Sequence, residues 1–229
     1  MRLAHAIFGT LAAMVAGMGD QPVHIIIPPS PTSAPSDAVS LFGDRDVARW
    51  TTRDGKPAGW TIVDGVVTVK AGTGDIVSKH RFNDAQIHIE FMSPLPAVGE
   101  GQGRGNSGVY IQGRYEIQVL DSFENATYPN GQCGAIYGQY PPLVNASRPP
   151  GEWQTFDIFF RAARFDDSGT RISPATLTVL HNGILIHDRA ELKGVTGGNL
   201  LPESPEPGPL LLQDHGDLVK YRNVWIRPL

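Results

Sequence analysis

Gly103-Arg104-Gly105-Asn106-Ser107-Gly108-Val109-Tyr110-Ile111-Gln112 is the stretch on which the fold turns. Its first six residues spell G-x-G-x-x-G, a string that grips a pyrophosphate only where a strand hands over to a helix whose N-terminus faces the ligand. Here Val109 to Gln112 alternate apolar and polar side chains, which is strand periodicity, so a strand follows and the dinucleotide reading fails. Outward from this point the same period recurs. Tyr115 to Leu120 and Gln86 to Phe91 alternate without a break. Trp60–Val63 and Val66–Lys70 flank Asp64-Gly65, and Thr176–Leu180 and Ile184–His187 flank His181-Asn182-Gly183, the turn chemistry of tight hairpins. Trp153–Arg161, Leu210–Gln213 and Val219–Ile226 complete the predicted strands. No window of helical length carries a 3.6-residue apolar stripe free of Gly and Pro, and no repeat is visible. The pattern predicts an all-β, jelly-roll sandwich of two antiparallel sheets.

Composition agrees and excludes alternatives. Glycine (26) and proline (19) are both abundant among the 229 residues, too many for a helical bundle. Yet 41 % of residues are hydrophobic, enough for a core rather than low-complexity disorder. The formal net charge of −4 supplies no basic field to gather nucleic acid. The single cysteine, Cys133, rules out an intrachain disulfide framework and a cysteine-rich zinc site. The N-terminus stands apart. After Arg2 no charged residue occurs before Asp20, and Leu3 to Gly19 is apolar with small residues at Ala16 and Gly17. Residues 1–19 therefore read as a secretory signal peptide, being short for a membrane span, which is the competing reading. Residues 20–39 read as a proline-rich linker and residues 40–229 as one sandwich domain. The expected chain is exported, with no membrane span in its mature form.

The chemistry-bearing residues gather on strand faces. Period two puts Glu116 and Gln118 on one face of their strand, opposite Ile117 and Val119; Asp121 joins them only if a bulge intervenes. Tyr110 and Gln112 on the preceding strand, and His88 and Glu90 on another, extend a polar face if the strands lie side by side. A carboxylate pair on such a face can serve as general acid and base; a half-buried sheet also simply solvates one side. Two glycine-bearing loops, Gly99–Gly108 with Arg104 and Ser122–Gly138 with Phe123, Tyr128 and Tyr137, suit the rim of a cleft. Aromatic rings beside amides and carboxylates are what sugar recognition needs. His215 follows Gln213 in a turn, either as a substrate-binding or catalytic histidine or as a turn residue held by Asp214. His88 and Glu90 are two potential ligands for a divalent metal ion, with no third ligand nearby; otherwise no cofactor is indicated. No nucleophile elbow, Walker loop or H-E-x-x-H is present.

Leu41-Phe42, Gly72-Thr73-Gly74-Asp75-Ile76, Phe82-Asn83-Asp84-Ala85-Gln86, Gly105 to Tyr110, Tyr115 to Ser122 and Gly134-Ala135-Ile136-Tyr137 succeed one another along the chain. Gly151-Glu152-Trp153-Gln154, Leu212 to Gly216 and Tyr221 to Ile226 follow. In that order these segments together resemble the DUF1080 family, the 3-keto-disaccharide hydrolases, also described as 3-keto-glucoside 1,2-lyases and 3-keto-2-hydroxy-glucal hydratases. The resemblance implies a concanavalin-like sandwich, frequent export to the bacterial periplasm or beyond, and a carbohydrate substrate. It carries no assignment of catalytic residues. A weaker similarity links Glu116-x-Gln118-x-x-Asp121 to the E-x-D-x-x-E strand of laminarinase-type glycosidases, with the middle carboxylate replaced by an amide. A keto group at C3 acidifies the C2 proton, so elimination across C1–C2 followed by hydration sums to hydrolysis without a nucleophilic carboxylate. On that chemistry Glu116 is the expected base and His215 or Asp121 the acid. Gln118, Gln112, Tyr110, Arg104, Glu90, His88, Gln213 and Tyr137 are expected around the substrate. The rival class is a non-catalytic, lectin-like module on the same kind of sandwich.

Overall fold

The computed structural model describes residues 34–42 and 47–229. Two sheets, antiparallel throughout, face each other. The larger has eight strands. From edge to edge it runs Ile184–Glu191 (β13), Thr176–His181 (β12), Gln154–Arg161 (β9), Ala85–Met92 (β6), Lys220–Pro228 (β15), Val66–Thr68 (β4) and Thr61–Val63 (β3). Val39–Ser40 (β1) also pairs with β15. The smaller sheet orders Trp50–Thr51 (β2), Ile76–Phe82 (β5), Gly208–Leu212 (β14), Ser107–Ile111 (β7) and Tyr115–Val119 (β8). A ribbon of Arg164–Phe165 (β10) and Arg171–Ser173 (β11) stands beside them.

Alternation builds the core. Ile87, Ile89 and Phe91 of β6 and Phe156, Ile158 and Phe160 of β9 bury one face of the large sheet. Val109, Ile111, Ile117, Val119, Leu210 and Leu212 meet them from the small one. Phe91 lies 4.7 Å from Phe156 between ring centroids. Phe91→Ala is expected to cost about 3–5 kcal/mol, read as a lower urea midpoint, because a rigid core closes poorly around a lost ring. Both hairpins form on their expected turns: Asp64 and Gly65 have φ of 50° and 75°, Asn182 and Gly183 of 53° and 82°, the left-handed geometry that matches strand twist.

The chain departs from the periodic reading in three places. Strand β5 spells Ile-Val-Ser-Lys-His-Arg-Phe, with no alternation across its middle. Its position beside the two-residue edge strand β2 lets polar side chains reach solvent. Val39, read as the last linker residue, is already sheet, paired with Ile226. Gln112 leaves β7 for the turn to β8, with φ of 54°. The expected leader and most of the expected linker lie outside the described residues. Among the described residues, no helix is long and apolar enough to cross a membrane.

Candidate active site

The outer face of the small sheet carries the site. Cross-strand register sets Tyr110 opposite Glu116 and Gly108 opposite Gln118, while Ile117 and Val119 turn inward to the core. Glu116 forms the floor of a cavity of about 260 Å3. Gln102 and Asn106 come from the first glycine loop, Tyr128 and Tyr137 from the second, and Gln213 and His215 from the end of β14 and the turn beyond it. Gly197 and Gly198 close the remaining side. Within this lining Glu116 is the single carboxylate.

Glu116 is 3 % exposed. The Tyr110 hydroxyl lies 2.9 Å from both Glu116 Oε2 and the Gly197 carbonyl oxygen, and it accepts from Gln213 Nε2 at 3.3 Å. The Glu116 backbone N–H donates to Thr196 Oγ1. Burial pushes the carboxyl up from 4.5 to about 8; the Tyr110 hydrogen bond opposes this in part, and the charge of Asp75 adds to it. Asp75 does not line the cavity. It is held by Arg53 and by the backbone N–H of Asp214, and Arg53 also donates to the Gly198 carbonyl.

Two glycines make room for this arrangement. A Cβ on Gly108 would run into Glu116 Oε1, and one on Gly198, whose φ is +75°, would sit 2.7 Å from the Tyr110 hydroxyl. Gly108→Ala is therefore expected to displace the carboxyl and lower kcat/KM about 100-fold. Its circular dichroism spectrum should stay native, because the added methyl points away from the core. Unchanged activity in that variant would mean the carboxyl need not sit where it does.

Gln118 connects Glu116 to the rim. One end of its amide lies 3.2 Å from both Glu116 Oε1 and the Ser107 carbonyl oxygen. The other end is 3.0 Å from Gln102 Oε1. With Glu116 protonated, the carboxyl O–H can donate to Gln118 Oε1 while Nε2 donates to Gln102. In the opposite amide orientation Nε2 instead donates to Glu116 Oε1 and the Ser107 carbonyl oxygen. Gln102 donates onward to Thr127 Oγ1 and the Gly131 carbonyl. Polar contacts thus run from Glu116 through Gln118 and Gln102 to both loops. At the mouth, the Tyr128 and Tyr137 hydroxyls lie 2.6 Å apart with their rings edge-on, offering apolar edges and hydroxyls to a sugar ring.

Five expected site residues stand elsewhere. His88 and Glu90 lie on β6 of the opposite sheet, facing away from the core. There His88 Nδ1 meets Asp157 at 2.7 Å and its ring stacks on Trp225, while Glu90 meets Arg222 and Asn223. Burial works against the charged imidazole, but the hydrogen bonds to Asp157 and Glu90 win and hold it up to about 9. Among the described residues no three His, Cys, Asp or Glu side chains are grouped to hold a metal ion. Gln112, committed to the β7–β8 turn, donates to the Phe82 carbonyl and accepts from Arg114. Arg104 and Asp121 pair with each other, Nε to Oδ2 at 2.9 Å, on the far side of the first glycine loop. No bulge carries Asp121 back to the Glu116 face, since β8 ends at Val119.

Gln102, Asn106, Gly197-Gly198 and Asp75 line or tune the cavity, and their residue types alone do not point there. The glycine doublet was the available signal for 197–198. Asp75 sits inside a recognisable glycine-rich segment that gives no hint of its approach to Glu116.

The fold and site together describe a carbohydrate-active β-sandwich, and the comparisons agree. Residues 37–227 match the model of the 3-keto-α-glucoside-1,2-lyase-like domain, and the chain belongs to that family. A solved structure of a candidate glycosyl hydrolase from Parabacteroides distasonis is 38 % identical, covers 100 % of both chains and superposes with a TM-score of 0.82. A second candidate glycosyl hydrolase from that organism, 22 % identical over 82 % of this chain and 92 % of its own, shares the fold with a TM-score of 0.60. No curated protein matches the chain.

Proposed function

We propose that this domain cleaves the glycosidic bond of 3-keto-glucosides, including 3-keto-disaccharides, by elimination and hydration. One observation carries the reading: a sugar-sized cavity with a lone, proton-retaining carboxyl at its floor and neutral amides and phenols around it. A retaining double displacement needs two carboxyl groups about 5–5.5 Å apart, and inversion needs two about 6.5–9.5 Å apart. Neither pair exists in the lining. Elimination needs a single strong base and neutral donors instead. A lectin-like module would have no use for a carboxyl kept un-ionised.

In the proposed sequence the ionised Glu116 takes the C2 proton, and the electron pair spreads onto the C3 oxygen as an enolate. Asn106 Nδ2 and Gln213 Nε2, each spending one N–H on a protein partner, keep a second N–H for that oxygen. The C1–O bond then breaks, its electron pair leaving with the glycosidic oxygen, and a C1=C2 double bond forms. His215, exposed at the rim, is placed to give the departing oxygen a proton. Water adds at C1 and gives up a proton that restores His215, C2 recovers a proton from Glu116, and the products are 3-keto-glucose and the free alcohol. Asp121 has no part in this, being outside the cavity.

The test is to incubate the protein with a 3-keto-disaccharide and with its unoxidised parent. Release of monosaccharide and transient enone absorbance from the keto form alone are the expected result. Equal cleavage of both, or of neither, overturns the reading.

A further inference from the structure

A second cavity, also of about 260 Å3, lies just beyond the first. Its walls gather Leu95 and Val98, the two most exposed large apolar side chains among the described residues at 72 % and 73 %, with Leu218 at 53 %. Pro94 and Pro96 stiffen the same wall. The two cavities share a partition made from the loop around residues 102–106 and the turn 213–218. From these segments Gln102, Asn106, Gln213 and His215 face the first cavity, while Arg104, Gly105, Gly216 and Leu218 face the second. A hydrogen bond from the Asn106 backbone N–H to Asp217 Oδ2, 2.8 Å long, ties the partition together. The exposed His215 therefore stands on the boundary between them.

The second cavity has three charged side chains in its lining, all at one side of the apolar wall. Arg104 and Asp121 neutralise each other, Arg104 also donates to the Phe123 carbonyl, and Asp217 accepts from the Asn106 N–H, so an anionic ligand finds no unpaired cation there. The cavity presents no aromatic face for a sugar ring. The first cavity, meanwhile, is below the roughly 300–1,000 Å3 that encloses a drug-sized ligand, so it takes one sugar unit and the rest of a substrate must lie outside it.

We infer that the second cavity is the leaving-group subsite and that it favours an apolar aglycone, an aryl or alkyl alcohol, over a second sugar. The inference rests on the proposed reaction for the direction of the substrate, with the glycosidic oxygen at the partition beside His215. It deepens that reading by giving the substrate class. An aryl alcohol also leaves readily as its anion, so the demand on a proton donor at the exposed rim is light.

Binding separates this inference from the chemistry. In the Glu116→Gln full-length chain, 3-keto phenyl glucoside should bind about tenfold more tightly than 3-keto methyl glucoside for the accepted anomer, by calorimetry. Leu218→Ser and, separately, Val98→Ser in that background should bring the ratio towards one; both positions are exposed and should not perturb folding. Equal affinities for the phenyl and methyl ligands, or a ratio indifferent to both substitutions, overturn the subsite. Failure of the unsubstituted protein to turn over the phenyl ligand, with the tenfold binding ratio intact, would instead overturn the reaction and leave the subsite standing.

Discussion

Glu116→Gln should lose about 10²–10⁴-fold in kcat/KM on a 3-keto glycoside and yet make the protein more stable above neutral pH. Both effects have one cause. Burial raises the carboxyl to about 8 from an ordinary 4.5, so the folded chain keeps a proton that the unfolded chain releases. Stability from this group is fully present below pH 4.5 and is lost as pH rises to about 8. Every tenfold weakening of the acid by the fold is worth about 1.4 kcal/mol, which sets an upper limit of about 5 kcal/mol. Glutamine fits the same site without a charge to desolvate, though its amide must find partners, so a gain of roughly 2 kcal/mol is the working expectation. Urea titrations at pH 4.5 and pH 9 should show little difference between the proteins at the first and a higher midpoint for the variant at the second. A variant less stable than the parent at pH 9 would mean the carboxyl is not held against its ionisation.

The second large effect is on the pH profile. If the ionised Glu116 is the base, only the fraction that has lost its proton reacts. kcat/KM should rise about tenfold per pH unit and bend near pH 8. Asp75 helps to raise the carboxyl through its negative charge. Asp75→Asn should therefore move the bend to lower pH, and the Arg53 guanidinium it releases acts in the same direction. A descending limb near pH 8 in place of the ascending one would make Glu116 the acid and reverse its role.

The fold was legible because its strands announce themselves. The alternation of Gln86–Phe91 and Tyr115–Leu120 and the Asp64-Gly65 and Asn182-Gly183 turns are local signals, and local physics decides them. Strand β5 was not legible, because its pairing with β14 and β2 is fixed by distant residues and its own polar run carries no period. The same division holds at the site. Glu116, Gln118 and Tyr110 could be placed together because register across one hairpin relates them. His88 and Glu90 alternate just as cleanly, but alternation says which face of a strand is polar, not which sheet the strand joins. Arg104 lies two residues from Gln102 and from Asn106, yet the partition sends it to the other cavity. Separations of that kind are settled by loop conformation, which residue types alone do not encode.

The claim that matters most is that the bond breaks through loss of the C2 proton to Glu116. A 3-keto glycoside turned over in D2O and quenched within the first turnovers tests it by NMR or mass spectrometry of the released 3-keto-glucose. With the Glu116 proton exchanging with solvent before it returns, the account predicts one deuterium at C2 for each product molecule, formed much faster than the exchange seen with Glu116→Gln, and a primary isotope effect on kcat/KM for substrate carrying deuterium at C2. Product that keeps its original hydrogen at C2, together with no such isotope effect, would contradict it.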